Sequence, residues 1–331
     1  EGYHARLGAV HAEAMALKRA GAAAAGATAY VTLEPCSHHG RTPPCADALA
    51  DAGVARVVLA AEDPDPRVAG TGLERLRRSG VAVTTGVLPG EAAGLNPGFI
   101  HRLRAGRPWL TLKLAASLDG RTATRTGESQ WITGEAARAD VHRLRHAHAA
   151  ILTGSGTVLA DDPSLTARLP EGGAHPLRVI LDSRLRTPPA ARVVTGPGSC
   201  LILAGANADA ERWRALADAG AEVAAVPGDG QGRLSLPGVL GELARREVNS
   251  VLAECGGTLA GALLAEGWPD RLVAYTAPRV IGAGGRAMFA GPPIERMAEA
   301  TELTVLDRRR LGADERIEAA PASRGGFSPV S

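Results

Sequence analysis

The sequence predicts an α/β protein with two domains. Helix patterns and strand patterns alternate along most of the chain, which indicates parallel strands joined by helices. A chain of 331 residues has room for two domains, because single cores seldom grow past roughly 250–300 residues. Residues 105–108 (AGRP) form a short connection between two runs of alternation, and we place the domains at 1–106 and 107–331.

Alternating patterns cover the first hundred residues. An Ala-rich stretch at 11–24 predicts a helix that ends near Gly26. Residues 28–33 (TAYVTL) are rich in strand formers. Residues 43–52 have prolines at the start and Gly53 after the end, the usual asymmetry of a helix. The remaining predicted elements are strand 54–60, helix 72–79 and strand 81–87.

The second domain begins with the strand pattern 109–115 (WLTLKLA) and alternates again. The elements that follow are helix 135–146, strands 149–153, 176–181 and 200–204, helix 209–219, strand 221–226, helix 237–246, strand 250–254 and helix 258–266. Three final strand patterns, 272–277, 302–307 and 315–320, have no convincing helix between them, so they predict an antiparallel edge to the sheet.

Composition and charge narrow the classes of function. Lys and Arg total 37 against 35 Asp and Glu, a formal net charge of +2, so we expect no broad basic surface for a polynucleotide. A small phosphorylated substrate needs only one or two basic groups. The apolar stretches fall short of the ~20 residues that a membrane helix needs, and we recognise no secretory leader. We therefore expect a cytoplasmic protein.

Four residues near the start have the types and spacing of a catalytic zinc site. His11 stands where a helix begins, Cys36 at the end of a strand, and Cys45 at the start of a helix, where a thiol pKa is lowered. One His and two Cys leave the fourth position of zinc for water, whose pKa zinc brings towards neutrality. Glu13 would be the proton shuttle between this water and the leaving amine. Base deaminases have this combination, although their general pattern has two residues between the cysteines and this chain has eight.

A closed structural zinc site is the alternative. It would need a fourth protein ligand, which His38 or His39 could supply, but it has no use for a glutamate at the position of Glu13. The other two cysteines, Cys200 and Cys255, belong to predicted strands or their ends, and we interpret them as small buried side chains rather than catalysts.

Longer strings in both halves resemble one family. HAE (11–13) followed by TLEPCSHHGRTPPC (32–45) is similar to the bifunctional deaminase/reductase family of riboflavin biosynthesis, in which eight residues between the cysteines are the rule. The strings that resemble its reductase half are KLAASLDGR (113–121), ESQWITG (128–134), ILTGSGTVLADDPSLTAR (151–168), VILDSRLRTP (179–188) and ECGGTLAGALL (254–264).

The resemblance implies a cytidine-deaminase-like three-layer domain followed by a dihydrofolate-reductase-like α/β domain, with Zn²⁺ and NADPH as cofactors. The first domain would hydrolyse the 2-amino group of 2,5-diamino-6-(ribosylamino)pyrimidin-4-one 5'-phosphate. The second would reduce the ribosyl group of the product, 5-amino-6-(5-phosphoribosylamino)uracil, to ribityl. By motif, the metal ligands are His11, Cys36 and Cys45, and Glu13 is the proton donor.

The resemblance also implies the residues of the reductase site. Near the cofactor it places Ala115, Trp131, Thr157 and Asp161, and for the cofactor's phosphates the loop Gly256, Gly257, Thr258, Leu259, Ala260 and Gly261. Near the substrate it places Ser129, Leu165, Arg168 and Glu254, of which Arg168 suits a phosphate clamp. Lys113 is a candidate for polarising the ribose or protonating the product.

Plainer interpretations stay open for several of these residues. The glycine loop follows a strand and opens a helix, where glycines let a phosphate approach backbone N–H groups, but a tight turn needs glycines as well. Trp131 could belong to the core, and Asp161-Asp162-Pro163 could be a helix cap or turn. We interpret the histidines His142, His146 and His148 as the solvated face of a polar helix rather than a second metal site. The run Arg308-Arg309-Arg310 is interpreted as a surface turn.

Three functions follow from these patterns. The first is the two-step enzyme, acting on a small phosphorylated pyrimidine as a homo-oligomer without nucleic-acid or membrane partners. The second is a polynucleotide-editing deaminase, which the low net charge and the 3% aromatic content disfavour. The third is a reductase alone, or a non-catalytic zinc-stabilised protein. It applies if the chain natively begins at Glu1, because the family has a helix and strand before this point, including an Asn-Pro-x-Val-Gly segment.

Overall fold

The structure, a computed structural model, describes residues 1–4, 9–38, 43–65, 68–170, 172–291 and 293–322. The chain divides into two compact units between Arg104 and Ala105. Among the helices in the described ranges, none has the length and apolar character needed to cross a bilayer.

A three-stranded parallel sheet forms the centre of the first unit. Its strands lie in the order β1 (Thr28–Leu33), β2 (Arg56–Ala61) and β3 (Ala82–Thr84). The helices are α1 (Ala12–Ala20), α2 (Cys45–Asp51), α3 (Thr71–Arg78), α4 (Pro89–Leu95) and α5 (Pro97–Ala105). Leu49, Val57 and Leu76 pack together in its core and are almost fully buried.

Proline and glycine set several helix ends in this unit. α2 begins directly after Pro44 and is followed by Gly53, which has a φ of +71° that suits glycine. The sequence patterns missed α4 and α5, whose glycines lower helix propensity. Each of these two helices nevertheless begins with a proline at its first position, where no N–H partner is needed.

A nine-stranded sheet within the described residues forms the centre of the second unit. Its order is β13-β14-β11-β4-β10-β6-β7-β8-β9. The strands are β4 (Trp109–Ser117), β6 (Ala150–Gly154), β7 (Leu177–Leu181), β8 (Cys200–Gly205), β9 (Glu222–Val226), β10 (Ser250–Glu254), β11 (Arg271–Ala277), β13 (Leu303–Leu311) and β14 (Asp314–Pro321). Short strands β5 (Arg121–Ala123) and β12 (Arg286–Ala287) form a separate antiparallel pair.

The helices of the second unit alternate with the strands of its sheet. The helices are α6 (Glu135–Ala147), α7 (Ser155–Asp161), α8 (Arg192–Thr195), α9 (Ala210–Asp218), α10 (Leu236–Arg245) and α11 (Gly257–Ala265). Two apolar clusters contain alternate residues of the central strands: Leu252 packs in one cluster, and Val251 and Ala253 in the other. This burial of consecutive residues is typical of a parallel strand that is covered on both faces.

The central strands place their carboxyl ends side by side. β10 lies between β4 and β6, and Glu254, the last residue of β10, is in register with Lys113 of β4. In open α/β sheets, ligands bind outside the carboxyl ends of the strands. Glu254 and its neighbours therefore lie where a ligand of the second unit is expected.

The C-terminal strands confirm one prediction and correct another. β14 pairs antiparallel with both β11 and β13, as the strand patterns without intervening helices predicted. The interpretation of Arg308–Arg310 as a surface turn is wrong, because these residues lie within β13.

Helix α7 was not predicted, since it is short and follows β6 without a connecting loop.

Candidate active sites

Three side chains in the first unit converge on one point. His11, Cys36 and Cys45 each offer a ligand atom within 4.8 Å of the others. Nδ1 of His11 lies 3.2 Å from Sγ of Cys45 and 3.6 Å from Sγ of Cys36. Tetrahedral zinc, with bonds of about 2.0 Å to nitrogen and 2.3 Å to sulfur, separates such ligands by about 3.6 Å. The donor types and their spacing fit zinc.

Local structure brings these three residues together. His11 is the N-cap of α1, Cys36 follows β1, and Cys45 is the first residue of α2. The backbone N–H of Cys45 donates to Sγ of Cys36 at 3.3 Å, and the N–H of Ala46 donates to the carbonyl oxygen of Cys36 at 3.1 Å. The start of α2 therefore holds the loop that carries Cys36.

The two thiols have opposite pKa shifts. A hydrogen bond from the Cys45 thiol is the main reason that the pKa of Cys36 falls to about 5, and the nearby His11 adds to the effect. The same bond raises the pKa of Cys45, and so does burial, which is the opposite of the lowered pKa expected from its position at a helix start. The pair therefore contains one thiolate at neutral pH, and a bound cation would favour the second.

Glu13 lies beside this trio in the first turn of α1. Burial raises the pKa of its carboxyl group, and the negative charge of Cys36 adds to the rise. A carboxyl group with a raised pKa exchanges protons closer to neutral pH, as a proton shuttle must.

A second carboxylate, Glu34, supports the site from inside the unit. Its side chain is buried and accepts hydrogen bonds from four backbone N–H groups. Oε2 accepts from Asp63 at 3.2 Å and Gly70 at 2.9 Å, and Oε1 accepts from Gly72 at 2.8 Å and Leu73 at 3.3 Å. Glu34 therefore ties the start of α3 to the segment that leads to Cys36.

The alternative of a closed zinc site finds no support among the described residues. The group of three that could hold a metal includes neither His38 nor any acidic side chain of the described ranges. His39, the other suggested ligand, lies outside the described residues. The described geometry leaves an open position, as in catalytic zinc sites.

The second unit has a buried charged cluster at the carboxyl end of β10. Glu254 accepts two hydrogen bonds from Arg145 of α6, from Nε at 2.5 Å and from Nη2 at 2.9 Å. Nζ of Lys113 lies 3.5 Å from the same carboxylate. Burial by itself would raise the pKa of Glu254, but the two cations lower it to about 2. Glu254 is therefore ionised at neutral pH.

Two arginine side chains, Arg145 and Arg168, lie at the segment that follows α7. Nη1 of Arg145 donates to the carbonyl oxygen of Thr166 at 3.2 Å, next to the buried Leu165. Arg168 is exposed, and its guanidinium group contacts Nε2 of His142 at 3.3 Å. Burial lowers the pKa of His142, and Arg145 and Arg168 lower it further, so the imidazole is neutral. This surface favours a bound anion.

Packing explains two glycines of the loop that opens α11. A Cβ atom on Gly257 would lie 2.5 Å from the carbonyl oxygen of Ala287, and one on Gly261 would lie 2.1 Å from that of Ala290. Gly256 has no such neighbour, since a Cβ atom added there would lie 3.8 Å from Oγ1 of Thr157 of α7, an ordinary contact distance. The tight packing and an approach by phosphate are compatible, because Gly256 and Thr258 are exposed at the helix start.

The other residues predicted to lie near the cofactor or the substrate are spread over several elements of the second unit. Ala115 lies on β4, two residues after Lys113, and the exposed Asp161 is the last residue of α7. Trp131 is 59% exposed, so its interpretation as a core residue is wrong. Its ring stacks on Arg138, and its carbonyl oxygen accepts from Arg279. Ser129 is half-buried in the same segment, between β5 and α6.

The matches to known proteins come from both units. A family model described as the cytidine and deoxycytidylate deaminase zinc-binding region matches residues 1–61, and one described as the RibD C-terminal domain matches residues 108–314. The riboflavin biosynthesis protein RibD of Escherichia coli (strain K12) is 46% identical over 326 residues, which cover 95% of this chain and 87% of that protein. The chain belongs to the RibD family.

Solved structures of RibD proteins have the same fold. Acinetobacter baumannii RibD aligns with a TM-score of 0.88 at 42% identity, over 97% of this chain and 88% of that one. A deaminase/reductase from Thermotoga maritima aligns with a TM-score of 0.83 at 33% identity, over the same shares. The predicted fold class, a deaminase-like domain followed by a reductase-like domain, is confirmed.

Membership of the RibD family also decides between the three functions. The chain is a bifunctional enzyme of riboflavin biosynthesis, with a zinc-dependent deaminase and an NADPH-dependent reductase. Zn²⁺ and NADPH are its cofactors. The polynucleotide-editing deaminase and the non-catalytic protein are thereby set aside. The role of each individual side chain stays a prediction.

Sequence reasoning missed two residues that the RibD fold brings into these sites. Arg145 lies in a polar helix pattern and Glu34 in one of the family's strings, and neither pattern distinguishes a functional residue. The interpretation of the histidines as a solvated helix face is wrong for His148, which is half-buried and contacts the carbonyl oxygen of Leu144 and the hydroxyl of Thr111. Cys200 is buried and Cys255 half-buried, and burial raises their pKa values to about 11 and 12, as expected of inert thiols.

Proposed function

We propose that the two units act in sequence on one pyrimidine nucleotide. The first removes the 2-amino group of 2,5-diamino-6-(ribosylamino)pyrimidin-4-one 5'-phosphate, and the second reduces the ribosyl group of the product to ribityl. The proposal depends mainly on one observation: His11, Cys36 and Cys45 converge within 4.8 Å beside Glu13 in a chain that also carries a reductase unit.

In the deaminase unit, His11, Cys36 and Cys45 hold the zinc ion. When bound, zinc acts as a Lewis acid and brings the pKa of a water molecule towards neutrality. Glu13 takes a proton onto its carboxylate and returns it to the amino group that leaves as ammonia. The raised pKa of Glu13 supports this role, because the carboxyl group must be protonated for part of each turnover.

In the reductase unit, the substrate lies at the carboxyl edge of β4 and β10. Lys113 lies beside Glu254 at this edge, and its ammonium group supplies the proton that accompanies the hydride to the ribosyl group. Arg168 binds the 5'-phosphate, which the neighbouring positive charge of Arg145 also favours. Ser129 and Leu165 complete the substrate surface.

The starts of helices α7 and α11 would hold the cofactor. NADPH supplies the hydride when bound. The first turn of α11 offers backbone N–H groups to its phosphates, through the residues Gly256, Gly257, Thr258, Leu259, Ala260 and Gly261. Ala115, Trp131, Thr157 and Asp161 line the rest of this surface. Thr157 faces Gly256, because a Cβ atom added to Gly256 would lie 3.8 Å from the Thr157 hydroxyl oxygen, and this supports a common site for α7 and α11.

We also propose that the enzyme is cytoplasmic and homo-oligomeric. The proposed boundary between the two domains in the sequence lies between residues 106 and 107. A reducing compartment suits Cys36 and Cys45, which must stay thiols to bind zinc. Three exposed apolar side chains on β13, Leu303, Val305 and Leu306, support association between copies. Light scattering of Val305→Glu against the parent protein tests this: a smaller mass supports the interface, and an unchanged oligomer opposes it.

A coupled assay on the diaminopyrimidine nucleotide tests the main proposal. Ammonia release and NADPH oxidation are recorded separately. Glu13→Gln should abolish ammonia release from this substrate, while the same preparation should still oxidise NADPH when it receives the deaminated nucleotide. Ammonia release at the parental rate by Glu13→Gln would overturn the role of Glu13.

A further inference from the structure

Lys113 is held loosely by its carboxylate partner. Its Nζ lies 3.5 Å from Glu254, whereas the two Arg145 contacts to the same carboxylate are 2.5 and 2.9 Å long. The Lys113 side chain is 15% exposed and has four rotatable bonds. Glu254 by itself therefore leaves the direction of the ammonium group poorly defined.

An aromatic ring forms the second wall around this ammonium group. Nζ of Lys113 lies 5.9 Å from the ring centroid of Tyr275, within the roughly 6 Å range of cation–π attraction. Strands β4 and β11 pair Lys113 with Val273 and Ala115 with Tyr275. Residues two apart on a strand share a face, so Tyr275 stands one step further along the face from which Lys113 projects.

Polar contacts of its hydroxyl group fix the position of the Tyr275 ring. The Tyr275 hydroxyl donates to Oδ2 of Asp140, on α6, at 2.6 Å. Arg316 of β14 pairs with the same carboxylate at 3.1 Å and is itself held by Asp307 and Glu318. The charge of Asp140 is therefore balanced, and it orients the phenol without drawing Lys113 away from Glu254.

We propose that Tyr275 is a positioning residue of the reductase site. Its ring directs the Lys113 ammonium group towards Glu254, and Asp140 fixes the ring through the phenol hydroxyl. The inference rests on the proposed role of Lys113 in reduction. Tyr275 is 1% exposed and has no contact with the substrate in this scheme, so it acts only through the lysine.

A double-mutant cycle tests this dependence. The readouts are the single-turnover rate of NADPH oxidation with the deaminated nucleotide and the Kd of NADPH. Tyr275→Leu should slow the single-turnover rate by about twofold to thirtyfold and leave the Kd of NADPH unchanged, since a cation–π contact is lost. Tyr275→Leu with Lys113→Met should be no slower than Lys113→Met alone. If the two losses multiply, Tyr275 does not act through Lys113 and the inference fails.

The same cycle separates this inference from the proposed function. If Lys113→Met reduces the nucleotide at the parental rate, the proposed role of Lys113 is wrong, and the inference falls with it. If Lys113→Met is slow while Tyr275→Leu is at the parental rate, only the inference is wrong. Ammonia release by the same preparation is the internal control. Tyr30→Leu, at a 79% exposed tyrosine of the first unit, is the matched control for the substitution.

A second cycle covers the case in which Tyr275→Leu fails to fold. Tyr275→Phe keeps the ring and its volume, so the core contacts survive. Tyr275→Phe and Asp140→Ala should each slow NADPH oxidation, and the double variant should be no slower than the slower single variant, because each substitution removes the same hydroxyl–carboxylate hydrogen bond. Parental rates in both single variants would show that the hydroxyl does not fix the ring, which overturns that part of the inference.

Discussion

Replacing Glu34 by glutamine should destabilise the first unit. The carboxylate accepts four backbone N–H groups, two on each oxygen. In either orientation, a glutamine amide places an NH2 group against two of these donors, which are then left without an acceptor. Each buried unsatisfied donor costs about 1–3 kcal/mol, so we expect the free energy of unfolding to fall by about 2–6 kcal/mol. This is a large fraction, because the free energy of unfolding of a domain is only about 5–15 kcal/mol.

Zinc release reports this loss selectively. A destabilisation of about 2 kcal/mol raises the population of locally opened molecules about thirtyfold, and a chromophoric chelator traps zinc from such molecules. All four tryptophans, Trp109, Trp131, Trp213 and Trp268, belong to the second unit, so tryptophan fluorescence in urea reports that unit separately. Zinc release should accelerate in Glu34→Gln while the fluorescence transition stays in place.

A neighbouring glutamate provides the control. Glu74 has a side chain that is 60% exposed and pairs with Arg78 on the surface of α3. Glu74→Gln should leave the rate of zinc release unchanged, because exposed ion pairs contribute little. The reasoning is refuted if Glu34→Gln and Glu74→Gln release zinc at the same rate.

Three further perturbations have defined outcomes. Cys45→Ala should remove bound zinc and ammonia release but not NADPH oxidation on the deaminated nucleotide; zinc retained at one ion per chain in metal analysis would contradict this. Gly261→Ala places a Cβ 2.1 Å from a carbonyl oxygen and should destabilise the second unit by about 1–3 kcal/mol in urea unfolding, whereas Gly241→Ala in α10, with open space around it, should not. The pKa of Glu254 is about 2 when folded against about 4.3 when unfolded, so its ionised form stabilises the fold above about pH 4, and this contribution is lost as the pH falls towards 2. Glu254→Gln should flatten that part of the stability–pH curve, and an unchanged slope would argue against it.

Short-range chemistry made the first site predictable. His11 and Glu13 are two residues apart, and Cys36 and Cys45 flank one loop between a strand and a helix. Each ligand stands at the end of an element, where residue type and element pattern coincide. The strand β1 was predicted at its observed bounds for the same reason, because its alternation is local to six residues.

Partners that are distant in the sequence were not predictable. Arg145 meets Glu254 across 109 residues, and Tyr275 meets Asp140 across 135. Each residue alone resembles an ordinary surface or core position, and only the register of the sheet brings the two together. Glycine and proline usually indicate loops, but in α4 and α5 they occupy the first two positions of a helix. For this reason the sequence patterns did not predict these two helices.

The order of the large sheet has a consequence for synthesis on the ribosome. β4 emerges early, yet its two neighbours are β10 and β11, and Trp109 must wait for Ser250 before it pairs. The first unit has no such delay, because β1, β2 and β3 pair in the order in which they are made. During translation the deaminase half can therefore acquire its native contacts while β4 is still an unpaired apolar segment. A holding chaperone would have most to do in that interval.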